Sequence, residues 1–171
     1  NACDAFHQTA SSDDGIGAVL SMRQALQRAG LKPADIQYVN AHGTGTPNND
    51  ASESEALHRV FGETMPPVSS TKSRTGHTTS ASGSIEAVIC LLAMRHGFIP
   101  SNLNWHYAMD KGIVPVAKTL CQQQLQHVLC NSFGFGGNDT SLVFSALSAS
   151  SAPCPQEPLR PVYVKTMVTF G

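Results

Sequence analysis

Ile36-Gln37-Tyr38-Val39-Asn40-Ala41-His42-Gly43-Thr44-Gly45-Thr46-Pro47 is the stretch from which the fold is read. The apolar run Ile36–Ala41 predicts a short strand. Two glycines and a proline follow at once, which defeats both regular structures and puts His42 in a loop at the strand's end. Upstream, Gly15–Ala29 lines up Ile16, Val19, Leu20, Ala25, Leu26 and Ala29 as a helical face, with Gly30 as its stop. Downstream, Asp50 is placed to cap a helix that runs to about Phe61 and stops at Gly62. Pro67–Ser70 reads as another short strand, and Thr71–Gly83 as a polar loop. Ile85–Arg95 is apolar nearly all round, which predicts a helix buried on most sides and closed by Gly97. Val128–Asn131 and Thr140–Phe144 read as strands around the turn Ser132-Phe133-Gly134-Phe135-Gly136-Gly137. This alternation of helices and strands is that of an α/β fold, in which sites gather in the loops beyond the strand ends.

Composition narrows the classes of function. The chain has 171 residues, 41% of them hydrophobic and only 13% charged, against roughly 25% charged in an average soluble protein. Such a chain buries much of itself in its own core or against a partner. A net charge of -1 argues against nucleic acid or an anionic membrane as partner. The longest apolar segment, Ala87–Met94, is far short of the roughly 20 residues a membrane span needs. The polar start at Asn1 has no signal-peptide pattern and no initiator Met, so a processed, truncated or excised chain is expected. Five cysteines (Cys3, Cys90, Cys121, Cys130, Cys154) show no C-x-x-C spacing, which suggests neither a disulfide framework nor a zinc site and points to a reducing cytoplasm. Leu147–Pro161 is rich in Ser, Ala and Pro and reads as a linker, with Val162–Val168 as one more strand beyond it.

Three loops carry groups with chemistry. His42 can offer one ring nitrogen to a ligand while backbone or Thr hydroxyls hold the other, or it is simply a structural turn residue. In Lys72-Ser73-Arg74-Thr75-Gly76-His77 a turn at glycine lets the cation and the imidazole converge, as a site for a developing oxyanion or enolate requires. Glu86 opens the apolar helix and is either the partner of Lys72 or a capping carboxylate. Gly134-Phe135-Gly136-Gly137 lets backbone N–H groups approach a ligand closely, or makes a tight hairpin; it matches neither a P-loop nor a dinucleotide fingerprint.

Taken together, His42-Gly43-Thr44-Gly45-Thr46-Pro47-x-x-Asp50, Lys72-Ser73-x-x-Gly76-His77 and Asn131-Ser132-Phe133-Gly134-Phe135-Gly136-Gly137 resemble the β-ketoacyl-ACP synthase family in order and approximate spacing, over about residues 4 to 145. The resemblance implies the C-terminal half of a thiolase-like αβαβα layered fold, with a mixed five-stranded sheet and helices on both faces. That unit would occupy 1–146, followed by the linker 147–161 and a strand-like tail 162–171. It implies a decarboxylative Claisen condensation between an acyl-Cys enzyme and malonyl-ACP, in fatty acid, polyketide or aryl-polyene biosynthesis. His42 and His77 match the family's catalytic histidines, and Lys72 its lysine, paired with the acid matching Glu86. Asp50 matches a structural acid. Phe135 matches the gating phenylalanine, whose amide joins the oxyanion hole. No cofactor and no metal are implied; acyl-ACP and malonyl-ACP are the substrates, the acyl carrier protein a partner, and a homo- or heterodimer the expected assembly.

The family's nucleophilic Cys belongs to its N-terminal half, and no segment here resembles its strand-to-helix turn. None of the five cysteines is therefore expected to act as nucleophile, and a half or chain bearing that Cys is required. The alternative is a non-catalytic partner like the chain-length-factor subunits, or a domain that keeps the fold only to dimerise. The family also places a strand just before the segment matching Asn1. Arg160–Gly171 has the look of such a strand, so either Val162–Val168 fills that slot or it is an ordinary extension.

Overall fold

Side-chain alternation along two neighbouring strands divides the core in two. In β2 (Tyr38–Asn40), Val39 faces one side of the sheet and Tyr38 the other; in β6 (His127–Gly134), Leu129 takes the first side, Val128 and Cys130 the second. The two strands run parallel with Val39 opposite Leu129. The computed structural model describes residues 1–146, so the expected linker and the strand expected at Val162–Val168 lie outside the described residues.

The main sheet has five strands in the order β1-β7-β6-β2-β3, with β1 at Ala2–Cys3, β3 at Val68–Ser69 and β7 at Asn138–Ser145. β2 is parallel to both neighbours, while β6–β7 and β7–β1 are antiparallel, so the sheet is mixed as expected. α1 (Ile16–Ala29) lies on β7 with α2 (Pro47–Phe61) beside it, and α4 (Ser82–His96) lies against β6. Val19, Met22, Leu26, Leu57, Phe61, Val68 and Leu129 close the first core; Tyr38, Cys90, Ala93, Ile99, Val128 and Cys130 close the second. Each large apolar side chain so buried stabilises the fold by about 1.5–3 kcal/mol. Among the described residues no helix is long and apolar enough to cross a membrane.

Gly30, Gly62 and Gly97 stop their helices as the sequence indicates. Four expectations are corrected. Asp50 does not cap α2: the helix starts at Pro47, whose fixed φ and missing N–H suit the first position, and Thr46 is the N-cap residue. Thr71–Gly83 is not all loop: it forms the short helix α3 (Lys72–Thr75) and a 3-10 turn at Thr79–Ala81, and α4 already begins at Ser82. α4 is not buried on most sides. Glu86, Cys90 and Ala93 are buried against the sheet, but Val88, Leu91 and Leu92 are 55%, 50% and 42% exposed, because only one side of the helix has a neighbour among the described residues. Residues 1–14, small and polar enough in sequence to read as a loop, are not all loop either, since Ala2–Cys3 take the edge position on β7. A second sheet, β4 (Phe98–Ile99) with β5 (Leu120–Cys121), has no counterpart in the sequence reading.

Candidate active site

His42 lies just past the carboxyl end of β2, and a buried carboxylate on α2 holds its loop. Glu53 Oε1 accepts the His42 N–H at 2.9 Å, and Oε2 accepts the Gly43 N–H at 2.8 Å. Asn131 and Asn49 donate to the same carboxylate at 3.3 and 3.4 Å. Burial pushes the Glu53 carboxyl above its usual range, and these donors pull the other way. Gly43 has φ 47°, and a Cβ there would meet Ser70 Cβ at 2.5 Å, so only glycine fits between the two loops. Glu53 was not singled out in the sequence; its one signal is a carboxylate on the inward face of a helix that follows the His42 loop.

Lys72 fixes the state of the His42 ring. Its Nζ donates to Glu86 Oε1 at 2.5 Å and to the His42 carbonyl at 2.6 Å, and it stands 3.2 Å from His42 Nδ1. An ammonium has three donors and no acceptor, so Nδ1 must accept. The neutral ring therefore carries its proton on Nε2. Burial first, then Lys72, then His77 lower the His42 pKa to about 3, which keeps the ring neutral near pH 7. The holder of Nδ1 is thus Lys72, not the backbone or the Thr hydroxyls expected; Thr44 and Thr46 bond each other at 2.9 Å. Of the two roles open to Glu86, the structure shows the ion pair. Its side chain and that of Lys72 are 1% and 4% exposed, and burial raises its pKa against the pull of Lys72. Glu86 Oε2 and Asn40 Oδ1 are buried without a partner among the described residues.

His77 has the same tautomer for a different reason. Its Nδ1 accepts the Thr79 N–H at 3.1 Å and lies 3.2 Å from Ser82 Oγ. A backbone amide can only donate, so the neutral ring again carries its proton on Nε2. The His42 and His77 ring centroids are 5.6 Å apart with the planes at 86°, and Phe133 stands 5.7 Å from the His42 ring. Beside them opens a cavity of about 780 Å³ lined by Gly43, Thr44, Lys72, Gly76, His77 and Trp105 among others.

The structure thus gathers His42, Lys72, His77 and Glu86 into one cluster. Asp50 is at the cavity's rim, where its Oδ1 accepts the Gly45 N–H at 3.2 Å. Phe135 stands apart at the tip of the β6–β7 hairpin, 76% exposed and outside the cavity lining, with its carbonyl held by Asn138 Nδ2 at 2.8 Å. None of the four described cysteines lines the cavity: Cys90 and Cys130 are buried, Cys3 and Cys121 exposed. The adjacent Cys90 thiol, and then burial, push the Cys130 thiol up, away from the thiolate a nucleophile needs. Among the described residues no group of three or more His, Cys, Asp or Glu is placed to hold a metal ion. His42, neutral with its proton on Nε2, and His77, which lines the cavity 5.6 Å away with its Nδ1 accepting, form an arrangement suited to an oxygen that gains negative charge.

The chain is 40% identical over 151 residues to 3-oxoacyl-[acyl-carrier-protein] synthase 2 of Vibrio harveyi; the match covers 85% of this chain and 36% of that protein. Its fold superimposes with TM-score 0.80 at 29% identity on a chain of the complex of a type II polyketide synthase acyl-carrier protein with its ketosynthase bound to the hexaketide, covering 85% of this chain and 36% of that one. It matches a ketosynthase in complex with its chain length factor from Xenorhabdus doucetiae with TM-score 0.74 at 39% identity, over 85% of this chain and 37% of that one. The chain therefore spans about a third of the length of these relatives. Residues 1–106 match the family model described as the β-ketoacyl synthase C-terminal domain, and with the fold and the paired histidines in agreement, the chain belongs to the β-ketoacyl synthase family.

Proposed function

We propose that the chain supplies the enolate-forming half of a β-ketoacyl-[acyl-carrier-protein] synthase. The observation that carries this reading is the pair of imidazoles, His42 and His77, each left with Nε2 as its donor by a different hydrogen-bond donor at Nδ1. The malonyl thioester binds in the cavity with its carbonyl oxygen toward both Nε2–H groups. The bond to its carboxylate breaks, carbon dioxide leaves, and the electron pair moves through the α-carbon onto the thioester oxygen. Hydrogen bonds to that oxygen strengthen as charge builds, which lowers the barrier. The enolate then attacks the acyl carbonyl carbon held on a Cys, and the thiolate departs.

That Cys belongs to an N-terminal half or second chain; Cys90, Cys130, Cys3 and Cys121 are all unsuited by position. Lys72 acts as positioning residue, fixing the His42 tautomer, with Glu86 as its counter-charge. Asp50 steadies the loop rim through Gly45, and Phe135 gates the acyl path, its amide contributing to the oxyanion site. Acyl- and malonyl-ACP are the substrates, as the name of the Vibrio harveyi relative suggests, and no cofactor takes part. The exposed Val88, Leu91 and Leu92 of α4 are covered by the other half, within a homo- or heterodimer. Free thiols fit a reducing cytoplasm. The complete His42, Lys72 and His77 set favours this over a non-catalytic role like that of the chain length factor in the Xenorhabdus doucetiae complex. Full-length protein incubated with acyl-ACP and malonyl-ACP should form a chain two carbons longer, detected by mass. No extension, with or without a co-purified Cys-bearing chain, would contradict it.

A further inference from the structure

The turn that carries Phe135 is clasped by the start of the chain. Ala2 pairs with Asp139 and Cys3 with Asn138. The Asp4 N–H donates to the Gly137 carbonyl at 3.2 Å, and the Gly136 N–H to the Gln8 carbonyl at 2.8 Å. Two carboxyl groups sit inside this clasp, each in space left by a glycine. A Cβ on Gly137 would lie 2.1 Å from Asp4 Oδ1. A Cβ on Gly17 would lie 2.0 Å from Asp139 Oδ2 and 3.0 Å from Asp4 Oδ2, so adding the two distances limits these oxygens to 5.0 Å apart. Asp139 is buried and Asp4 half-buried, and the one ion pair among the described residues, Lys72–Glu86, involves neither.

The surroundings leave this pair without a cation. α1 presents Gly17, which has no side chain, and its first turn has no acidic residue; its N-terminal amides favour charge on the carboxyls. α2 contributes the carboxyl of Glu53, and β6 places Phe133 opposite Asp139. Burial first, then Asp4, then Glu53 raise the Asp139 pKa from 3.8 to about 6.

We propose that Asp4 and Asp139 are positioning residues, a proton-sensitive clasp that holds the Phe135 turn when Asp139 is protonated and loosens it when both carboxyls are charged. The sign follows from a raised pKa: the clasp's extra stability is present below the ordinary carboxylate value and is lost as pH rises through about 6. A rise from 3.8 to about 6 limits the loosening to about 100-fold, and solvent around Asp4 reduces it to roughly tenfold. The consequence for catalysis rests on the function proposed above; the clasp itself does not.

Hydrogen–deuterium exchange of the segment 134–140 in full-length protein tests this between about pH 5 and about pH 8, read as the ratio of wild type to Asp139→Asn so that intrinsic exchange cancels. The ratio should rise roughly tenfold around pH 6. Asp4→Asn, which removes the neighbouring charge, should move the midpoint to lower pH, and the kcat/KM profile for condensation should lose its step near that pH in Asp139→Asn. A flat exchange ratio, or a midpoint unmoved by Asp4→Asn, would overturn the clasp. Wild-type protein that shows the exchange step but condenses nothing would keep the clasp and refute the proposed function instead.

Discussion

Replacing Lys72 by Met should reveal how far the site depends on one buried ammonium. The change leaves Glu86, 1% exposed, with no counter-ion and removes the donor from His42 Nδ1. Removing one partner of a buried pair costs about 3–5 kcal/mol, because the remaining charge stays in a low-dielectric setting. Glu86 can escape that cost by taking up a proton. Its pKa is already raised by burial, and Lys72 is what opposes the rise, so it climbs further in the variant. A raised carboxyl pKa gives stability that is held below the ordinary value and lost as pH rises through the folded one. The deficit should therefore be small near pH 5, about 1 kcal/mol from lost hydrogen bonds, and grow toward its full size near pH 8. Urea unfolding of full-length protein at both pH values measures this, with equal m-values as the check on comparability. The double variant Lys72→Met, Glu86→Leu should recover most of the loss, since replacing both charges leaves no orphan. In the single variant the His42 pKa should also rise from about 3, the second-largest influence on it having gone, and nitrogen chemical shifts of the ring read this directly. A deficit that is independent of pH, or larger in acid, would show that an uncompensated Glu86 is not the source of the loss.

Three further perturbations bear on other parts of the structure. Glu53→Gln turns one acceptor of two backbone N–H groups into a donor facing a donor, and should cost about 1–3 kcal/mol in a denaturant melt and release the His42 loop to faster amide exchange; an unchanged melt would count against Glu53 as the loop's anchor. Gly17→Ala places a methyl 2.0 Å from Asp139 Oδ2 and should destabilise by about 1–3 kcal/mol, visible as a lower Tm. Leu91→Lys, on the uncovered side of α4, should leave the fold's circular dichroism intact but weaken association in full-length protein by at least about tenfold by light scattering; unchanged association would place the interface elsewhere.

The sequence makes legible whatever depends on neighbours along the chain. Gly30, Gly62 and Gly97 stop their helices because a stop needs only local backbone freedom, and the apolar run Ile36–Ala41 marks the strand Tyr38–Asn40. Lys72 and Glu86 lie 14 residues apart, and either a cap or a pair fits the pattern; packing of α4 under the loop decides for the pair. Glu53 escapes detection because its role depends on one face of α2 meeting the loop after β2. The His42 tautomer is fixed by a group 30 residues away. The exposed side of α4 is hidden for the opposite reason: hydropathy registers Val88, Leu91 and Leu92 as apolar without registering what they meet. β4 and β5 are two residues each and exist only through the pairing of Phe98 with Cys121 and Ile99 with Leu120. The strand expected at Val162–Val168 lies beyond the described residues.

The most direct measurement separates the two half-reactions of full-length protein. Carbon dioxide release from malonyl-ACP follows the step assigned to His42 and His77, while transfer of an acyl group from acyl-ACP onto the enzyme follows the nucleophile, which the proposed function assigns to another half or chain. His42→Ala and His77→Ala should each slow carbon dioxide release by roughly 100-fold or more, the scale of losing one donor to a developing oxyanion, with acyl transfer largely retained. Decarboxylation at the wild-type rate in both variants would contradict the assignment of this site to enolate formation.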